Sequence, residues 1–218
     1  MLQLPESTYF GKRIPKQKFY ENLSITPVLK RSFIDEIASI IWQHKIAHTT
    51  VNIAPGKNVT ELEVIEIRLN QPSVNVAILQ QIDKELPYHL LFILSHDRKA
   101  QAWISYKQAS GTATQAFKVN QYYHTDWMLE EELPLKLEGL NVDAVYENFV
   151  YQIAGDALQA NKHESLQDAV ARDEKVKNLQ KQIDALQAKI RKEKQLNVQM
   201  KLNSELKRLR KELSALDV

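Results

Sequence analysis

The clearest periodic pattern lies in residues 156–218. Leucine and isoleucine recur there at heptad spacing, and the segment contains no glycine, proline or aromatic residue. Such a segment cannot build a globular core by itself, so its apolar stripe must pack against another helix, in the same chain or in a partner. The pattern predicts that this protein assembles through the following side chains: Leu179, Ile183, Leu186, Ile190, Leu202, Leu206, Leu209 and Leu213.

The two halves of this stripe differ in register. The second half is offset by two positions from the first, and two residues turn a helix by about 200°. Two arrangements fit this offset. The helix bends near residues 195–198 into an antiparallel hairpin, or one helix of about 50 residues presents two contact faces. Because the segment lacks glycine and proline, we favour the single long helix.

The preceding residues mix helical and strand periodicities. Thr26-Pro27 is a typical helix start, and apolar residues at helical spacing predict a helix that runs to Lys45. A turn at Ala54–Lys57 predicts a hairpin of strands 51–54 and 59–69. Further along, the pattern predicts helices over 73–85 and 142–153, strands over 90–94, 102–107, 117–124 and 133–137, a loop over 109–114, and a helix-ending glycine at Gly155.

These elements predict an α+β fold with two parts. The first, residues 1–160, is a globular domain with a mostly antiparallel sheet of about five strands and packed helices. The second, residues 161–218, is a basic, long helical coiled-coil tail whose helix starts at Ser165, with Asp168 three residues on.

Composition and charge add limits to this picture. The chain of 218 residues contains no cysteine, which favours a cytoplasmic location, and no apolar run approaches the length of a membrane span, so we expect no membrane partner. The net charge is only +2, but basic residues outnumber acidic ones in residues 1–60 and 161–218 and are outnumbered in residues 61–160. This asymmetry indicates surfaces that contact phosphate, subunits that pair end to middle, or simply a well-solvated coil.

Three basic clusters are candidates for nucleic-acid binding. Aromatic residues interleave the first cluster, so cations there could neutralise phosphate while rings stack on bases. The clusters are Lys12, Arg13, Lys16 and Lys18 in the amino-terminal arm; Lys189, Arg191, Lys192 and Lys194; and Lys207, Arg208, Arg210 and Lys211. The alternative is that the rings pack beneath the arm and the helical lysines only solvate the tail.

Several segments resemble a bacterial family of unknown function. They are Ile14–Asn22, Ile41–Lys45, Val64–Ile67, Tyr123–Trp127 and Glu138–Leu140. Members of that family are often encoded beside SNF2-type helicases and DNA methyltransferases, in loci that resemble restriction and phage-defence islands. The resemblance implies a setting in DNA metabolism or antiviral defence, with a helicase or methyltransferase partner, and it transfers no catalytic residue.

A Mg²⁺-dependent nuclease is the sharpest enzymatic hypothesis. In PD-(D/E)XK nucleases an aspartate and a Glu-x-Lys motif hold Mg²⁺, and here Glu66-Ile67-Arg68 lies on a predicted strand with Glu61 and Glu63 before it. Arginine replaces the lysine and cannot deprotonate to activate water, so a degenerate relative of that fold is the stronger form of the hypothesis. The alternative is that these glutamates face solvent or pair with the basic ends.

Other chemistry has little support in the sequence. His44 and His48 are spaced for one face of a helix, yet no third metal ligand is evident, so we expect no metal site. The chain carries no phosphate-cradling loop and no dinucleotide fingerprint, so we expect no cofactor. The leading hypothesis is a non-enzymatic accessory or scaffold subunit that self-associates or docks to its partner through the tail. A direct DNA-binding module and a nuclease-like domain are the alternatives.

Overall fold

The computed structural model describes residues 2, 4–21, 25–109, 117–158 and 164–216. The chain divides into two compact units, residues 1–155 and residues 156–218. The first unit is a sheet with packed helices, and the second is a helical hairpin. Part of the loop predicted over residues 109–114 lies outside the described residues.

Among the residues that the structure describes, a mixed sheet of seven strands forms the centre of the first unit. The strands are β1 (Tyr9–Ile14), β2 (Ile37–Ala47), β3 (Glu61–Leu69), β4 (His89–His96), β5 (Lys99–Ala109), β6 (Phe117–His124) and β7 (Met128–Leu129). The first six lie side by side in chain order, and β7 pairs with β5. Only β3 and β4 pair in parallel; the other described pairs are antiparallel. A parallel pair requires a crossover, which α2 provides.

Within the described part of this unit, three α-helices accompany the sheet: α1 (Pro27–Glu36), α2 (Val76–Glu85) and α3 (Val142–Ala154). Helices α1 and α2 bury Phe33, Ile78 and Ile82 in one apolar cluster with strand residues that include Ile65 and Phe92. Residues that alternate with these along the strands are buried as well, because α3 contacts β3, β5 and β6. Both faces of the central strands are therefore covered.

The helix predicted to run from Thr26 to Lys45 is wrong in its second half. Thr26 caps α1 as expected, since its hydroxyl accepts a hydrogen bond from the Leu29 N–H, but the helix ends at Glu36. Residues 37–47 form β2 instead and pair with both β1 and β3. These residues are rich in β-branched isoleucine, and pairing on both edges outweighs their helical spacing.

The hairpin predicted for residues 51–54 and 59–69 is also wrong. Strand β3 pairs with β2 and β4, while the residues before it form a loop held by Asp143. The Asp143 carboxylate accepts hydrogen bonds from the backbone N–H groups of Lys57 (2.8 Å), Asn58 (3.1 Å) and Val59 (2.7 Å). Gly56 is required in this loop, because an added Cβ would lie 2.3 Å from the backbone carbonyl oxygen of Val59 and 2.4 Å from Asp143 Oδ1.

Most other predicted elements of the first unit are confirmed. They are the helix predicted over 73–85, which begins at Val76 with Asn75 as its cap, the strands within β4, β5 and β6, and the helix over 142–153 with Gly155 at its end. The strand predicted over 133–137 is wrong, because those residues are irregular and β7 precedes them. The sheet has more strands than the five expected because β1 and β7 were not predicted and β2 was assigned to a helix.

The second unit is a hairpin of two helices, α4 (Leu166–Lys192) and α5 (Leu196–Ser214). Ser165 caps α4 through its hydroxyl, which accepts from the Asp168 N–H, as predicted. The single long helix that we favoured is wrong, because residues 193–195 leave the helical conformation. The offset between the two stripes is resolved when the chain reverses and lays one stripe against the other. No helix among the described residues is long and apolar enough to span a membrane.

Candidate functional site

The basic arm forms the edge strand β1 and the short 3₁₀ turn after it, Lys16–Phe19. Lys12, Arg13 and Lys18 are exposed, in keeping with the predicted phosphate contacts. Lys16 has a different role: its Nζ donates to the carbonyl oxygens of Ile34 (3.1 Å) and Ile37 (2.7 Å) at the end of α1. A cation at a helix carboxyl terminus satisfies free carbonyls, so Lys16 ties the arm to α1.

The aromatic residues beside the arm pack on β2 and on each other. The ring centroids of Phe10 and Trp42 are 4.3 Å apart, and Lys12 Nζ lies 4.4 Å from the centre of the Phe10 ring. The Trp42 indole N–H then donates to Glu63 Oε2 at 2.6 Å. A continuous line of contacts thus connects an exposed cation of β1 to a buried carboxyl group of β3.

A cavity of about 450 Å³ lies beside Glu63. Its wall is mostly apolar and aromatic, and three exposed cations of the arm belong to it. The lining residues are Lys12, Arg13, Ile14, Pro15, Lys18, Phe19, Trp42, Glu63, Ile65, Glu85, Leu86 and Tyr88. A pocket of this size, with a mostly apolar wall and charged groups at defined positions, is typical of a small-molecule site.

Glu63 is the most unusual titratable group of this cavity. Its residue exposure is 1%, and Oε1 receives no hydrogen bond among the described residues. Burial raises the pKa of Glu63 to about 7. The carboxylate of Glu61 also raises this pKa, whereas the Trp42 indole and Lys45 lower it; Lys45 is itself ion-paired with Glu61. Of the alternatives that the sequence left open for these glutamates, exposure to solvent is wrong for Glu63, because the buried part of β3 extends beyond Ile65 to include it.

Glu66 and Arg68, the core of the nuclease hypothesis, contact each other. Arg68 Nε lies 2.9 Å from Glu66 Oε1, the Ser95 hydroxyl donates to the same oxygen at 2.9 Å, and Gln43 Nε2 donates to Oε2 at 3.2 Å. The Glu66 carboxylate is thus already neutralised by a guanidinium group. Glu61 and Glu63 lie on the alternate strand positions, so the strand directs them to the opposite face from Glu66.

The two histidines proposed for one helix face are on no helix. His44 lies on β2 and is buried, and its Nδ1 is 2.8 Å from the Thr8 hydroxyl oxygen; burial lowers the pKa of His44. His48 lies in the turn that follows β2. Among the residues that the structure describes, no group of three or more His, Cys, Asp or Glu side chains could hold a metal ion.

A second polar cluster is buried between α2 and the sheet. Lys107 Nζ lies 2.7 Å from Asp83 Oδ1, and both side chains are almost fully buried. The hydroxyl groups of Ser105 (2.7 Å) and Tyr122 (2.6 Å) donate to Asp83 Oδ2. Burial lowers the pKa of Lys107, while Asp83 opposes this effect. The cluster holds α2 against β5 and β6.

The hairpin directs its apolar residues inward and its basic residues outward. Leu179, Ile183, Leu206 and Leu209 are buried together, and further members of both stripes pack against them. The cations at positions 189, 191, 192 and 194 are exposed at the turn between α4 and α5. Those at positions 207, 208, 210 and 211 line a shallow hollow along α5 with Ser204 and Ser214.

Comparison with models of protein families identifies the family of this chain. A family model described as "Domain of unknown function (DUF4391)" matches residues 2–213. The protein belongs to the DUF4391 family. No curated protein and no solved structure matches the chain. The DUF4391 match extends through both structural units, so the helical hairpin is part of the domain that defines this family rather than an unrelated appendage.

The sequence pattern missed the two buried polar clusters of this DUF4391 protein. In the sequence, Asp83 lies on the polar face of a predicted helix and Lys107 lies at the end of a predicted strand. No local pattern indicates that their side chains contact each other. Glu63 gave a weak signal: it shares its strand face with Ile65 and Ile67, which pack in the core. That shared face could have placed its carboxyl group at the edge of an apolar layer.

Proposed function

We propose that this protein is a non-enzymatic accessory subunit that binds the phosphate backbone of nucleic acid through the outer face of its helical hairpin. The observation that supports the proposal most strongly is the arrangement of α5. Its leucines face α4, and four cations within five residues, Lys207 to Lys211, face outward.

The geometry of α5 separates these two groups cleanly. Lys207 and Lys211 are four residues apart and share one face with Ser204, which lies opposite the seam of Leu206 and Leu209. Side chains four residues apart on a helix lie about one turn from each other. Lys207 and Lys211 are therefore close enough to contact the phosphates of the same nucleic-acid strand. The Ser204 hydroxyl adds a neutral donor at one end of the row, while the Ser214 hydroxyl at the other end donates to the Lys211 carbonyl oxygen.

Acidic residues compensate this surface only in part. Helix α5 holds five basic residues and two acidic ones. One of these acids, Glu212, is directed toward α4, where its Oε1 lies 3.1 Å from Lys175 Nζ. The other acid is Glu205, whose Oε1 lies 4.0 Å from Arg208 Nη2. Both side chains are largely exposed, so this ion pair is weak.

Binding of a fluorescent DNA duplex to the full chain tests this proposal. Replacing Lys207, Arg208, Arg210 and Lys211 with glutamine is expected to weaken binding at least tenfold at moderate salt. The matched control removes four exposed cations of the first unit, Arg31, Lys84, Arg98 and Lys136, and should bind nearly as the wild type does. Equal affinities of the wild type and the α5 variant would contradict the proposal.

Docking to a protein is the second candidate. Leu196 and Met200 are one turn apart at the start of α5 and remain 69% and 64% exposed. An apolar pair of this kind can insert into a partner, which the family resemblance suggests is a helicase or a DNA methyltransferase, or into a second copy of the chain. Light scattering after size exclusion tests the second copy: a dimer that becomes a monomer on Leu196→Ser with Met200→Ser supports it, and a wild-type monomer contradicts it.

Hydrolysis of nucleic acid finds less support in the geometry. A divalent cation at Glu66 would have to displace the Arg68 guanidinium, which already contacts the carboxylate. Mg²⁺-dependent cleavage by the wild type that is lost in Glu66→Ala would nevertheless establish it.

A further inference from the structure

We propose that the cavity beside Glu63 is a nucleotide-binding site, with the base inside the cavity and the phosphate at the basic arm. This site belongs to the first unit and is independent of the surface on α5. Three observations support the proposal: the cavity itself, the buried carboxyl group in its wall, and the cations at its mouth.

The interior suits a flat heteroaromatic ring. Phe19, Trp42 and Tyr88 line the cavity together with Ile65 and Leu86, so a planar base would meet mostly aromatic and aliphatic surface. Stacking of a base on such rings is favourable and tolerates different bases. The cavity volume of about 450 Å³ falls within the range of pockets that bind molecules of nucleotide size.

Glu63 supplies a polar group that can distinguish bases. Oε2 is occupied by the Trp42 indole N–H, whereas Oε1 receives no hydrogen bond from any described residue. A carboxyl group in this position can accept a hydrogen bond from an exocyclic amino group, and when protonated it can donate one to a ring nitrogen or a carbonyl oxygen.

The mouth of the cavity suits an anion. Lys12, Arg13 and Lys18 are exposed and line it, while Lys16, the other cation of the arm, is held by α1. Arginine and lysine form charge-assisted hydrogen bonds with phosphate oxygens. The exposed Glu85 is the one acidic residue at this rim among the described lining residues. A ligand with an apolar ring and an anionic end therefore matches both parts of the site.

Calorimetric titration of the full chain with AMP, GMP, CMP and UMP tests this inference, with Trp fluorescence as a second signal. Nucleosides and inorganic phosphate alone should bind more weakly than the nucleotides. Lys12→Ala with Arg13→Ala and Lys18→Ala should weaken all four nucleotides at least tenfold. Glu63→Gln should instead change their order of affinity, because it alters the group that contacts the base. Arg31→Ala with Lys84→Ala and Lys136→Ala is the charge-matched control and should have no effect.

Four results would overturn the inference. The first three are no saturable binding of any nucleotide up to about 1 mM, unchanged affinity in the arm variant, and an unchanged order of affinity in Glu63→Gln. Equal competition by inorganic phosphate would also overturn it, by showing an anion site without a base site. A single-stranded tetranucleotide that binds more tightly than the mononucleotides would identify the ligand as a base within a strand, and the reverse would identify a free nucleotide.

Discussion

Lys107 Nζ lies 2.7 Å from Asp83 Oδ1, and the two side chains are 1% and 0% exposed. This ion pair connects β5 to α2 in the interior of the first unit. Ser105 and Tyr122 donate to the other oxygen of Asp83, so the carboxylate is surrounded by donors from β5 and β6. A buried charge is tolerated only with such partners.

Lys107→Met is therefore expected to lower the free energy of unfolding by about 3–5 kcal/mol, because it leaves the Asp83 carboxylate without its cation. Adding Asp83→Asn should recover much of this loss, since the amide oxygen still accepts from both hydroxyl groups and no buried charge remains. Urea unfolding of the single and double variants measures both effects. Arg31→Met, which breaks an exposed pair with Asp35, is the control and should change stability by less than about 1 kcal/mol. A double variant that is no more stable than Lys107→Met would argue against this view of the pair.

The raised pKa of Glu63 predicts that the free energy of unfolding depends on pH. Its folded pKa is about 7, above the ordinary value of 4.5, so folding takes up a proton between these two pH values. Stability should therefore fall as the pH rises from about 4.5 to 7, by up to about 3 kcal/mol from this group. The groups around Glu63 are Trp42 and Lys45 on β2 and Glu61 on β3, and Lys12, Lys18 and Glu85 belong to the same cavity wall.

Glu63→Gln removes the titration while it keeps the shape of the side chain. Relative to the wild type it should become more stable as the pH rises through this window, with little difference near pH 4.5. Urea midpoints at several pH values measure this, and Glu138→Gln, an exposed side chain, is the control. A constant difference between wild type and Glu63→Gln across the window would show that folding does not raise the pKa of Glu63.

The Asp143 carboxylate holds the loop before β3 through three backbone N–H groups. Asp143→Ala should lower stability by about 1–3 kcal/mol, since these donors lose a charged acceptor. Asp143→Asn retains one acceptor oxygen and should lose less. Hydrogen exchange at residues 57–59 gives the direct measurement: exchange should accelerate in Asp143→Ala. Unchanged exchange there would show that the loop is held by other contacts.

The packing of the apolar seam of the hairpin predicts how single substitutions change the stability of the second unit. Ile183 and Leu206 are buried at 3% and 8% exposure, so replacing either with alanine should cost about 2–4 kcal/mol. Hydrogen exchange in α4 and α5 reports this loss for the hairpin alone. Met200→Ala, at an exposed position, should leave exchange nearly unchanged. If all three variants exchanged alike, the two stripes would not be packed on each other in solution.

The sequence predicted elements well where one local signal decided them. The hydroxyl of Thr26 and Gly155 mark helix ends, and the apolar run at 90–94 marks a buried strand; the structure confirms each. Strand β2 was missed because Ile37, Ile40 and Ile41 fit a helical face as well as a strand. Only pairing with β1 and β3 decides between the two, and that pairing is not visible in a local window.

The helical hairpin shows a different limit of prediction from the sequence. The offset between the two leucine stripes was visible in the sequence, and it allowed both a bent and a straight chain. The absence of glycine and proline favoured the straight chain, but burial of two stripes against each other compensates for the three residues at 193–195 that leave the helical conformation. The candidate cavity could not be predicted, because its walls come from β1, β2, β3 and the end of α2, and only the assembled sheet brings them together.

The salt dependence of DNA binding tests the central claim most directly. Each phosphate contact adds about −0.9 to the slope of log K against log salt concentration on duplex DNA. If Lys207, Arg208, Arg210 and Lys211 each contact a phosphate, the four-glutamine variant should show a slope shallower than that of the wild type by about 3–4. The control lacking Arg31, Lys84, Arg98 and Lys136 should keep the wild-type slope. Equal slopes for the wild type and the α5 variant would contradict the account.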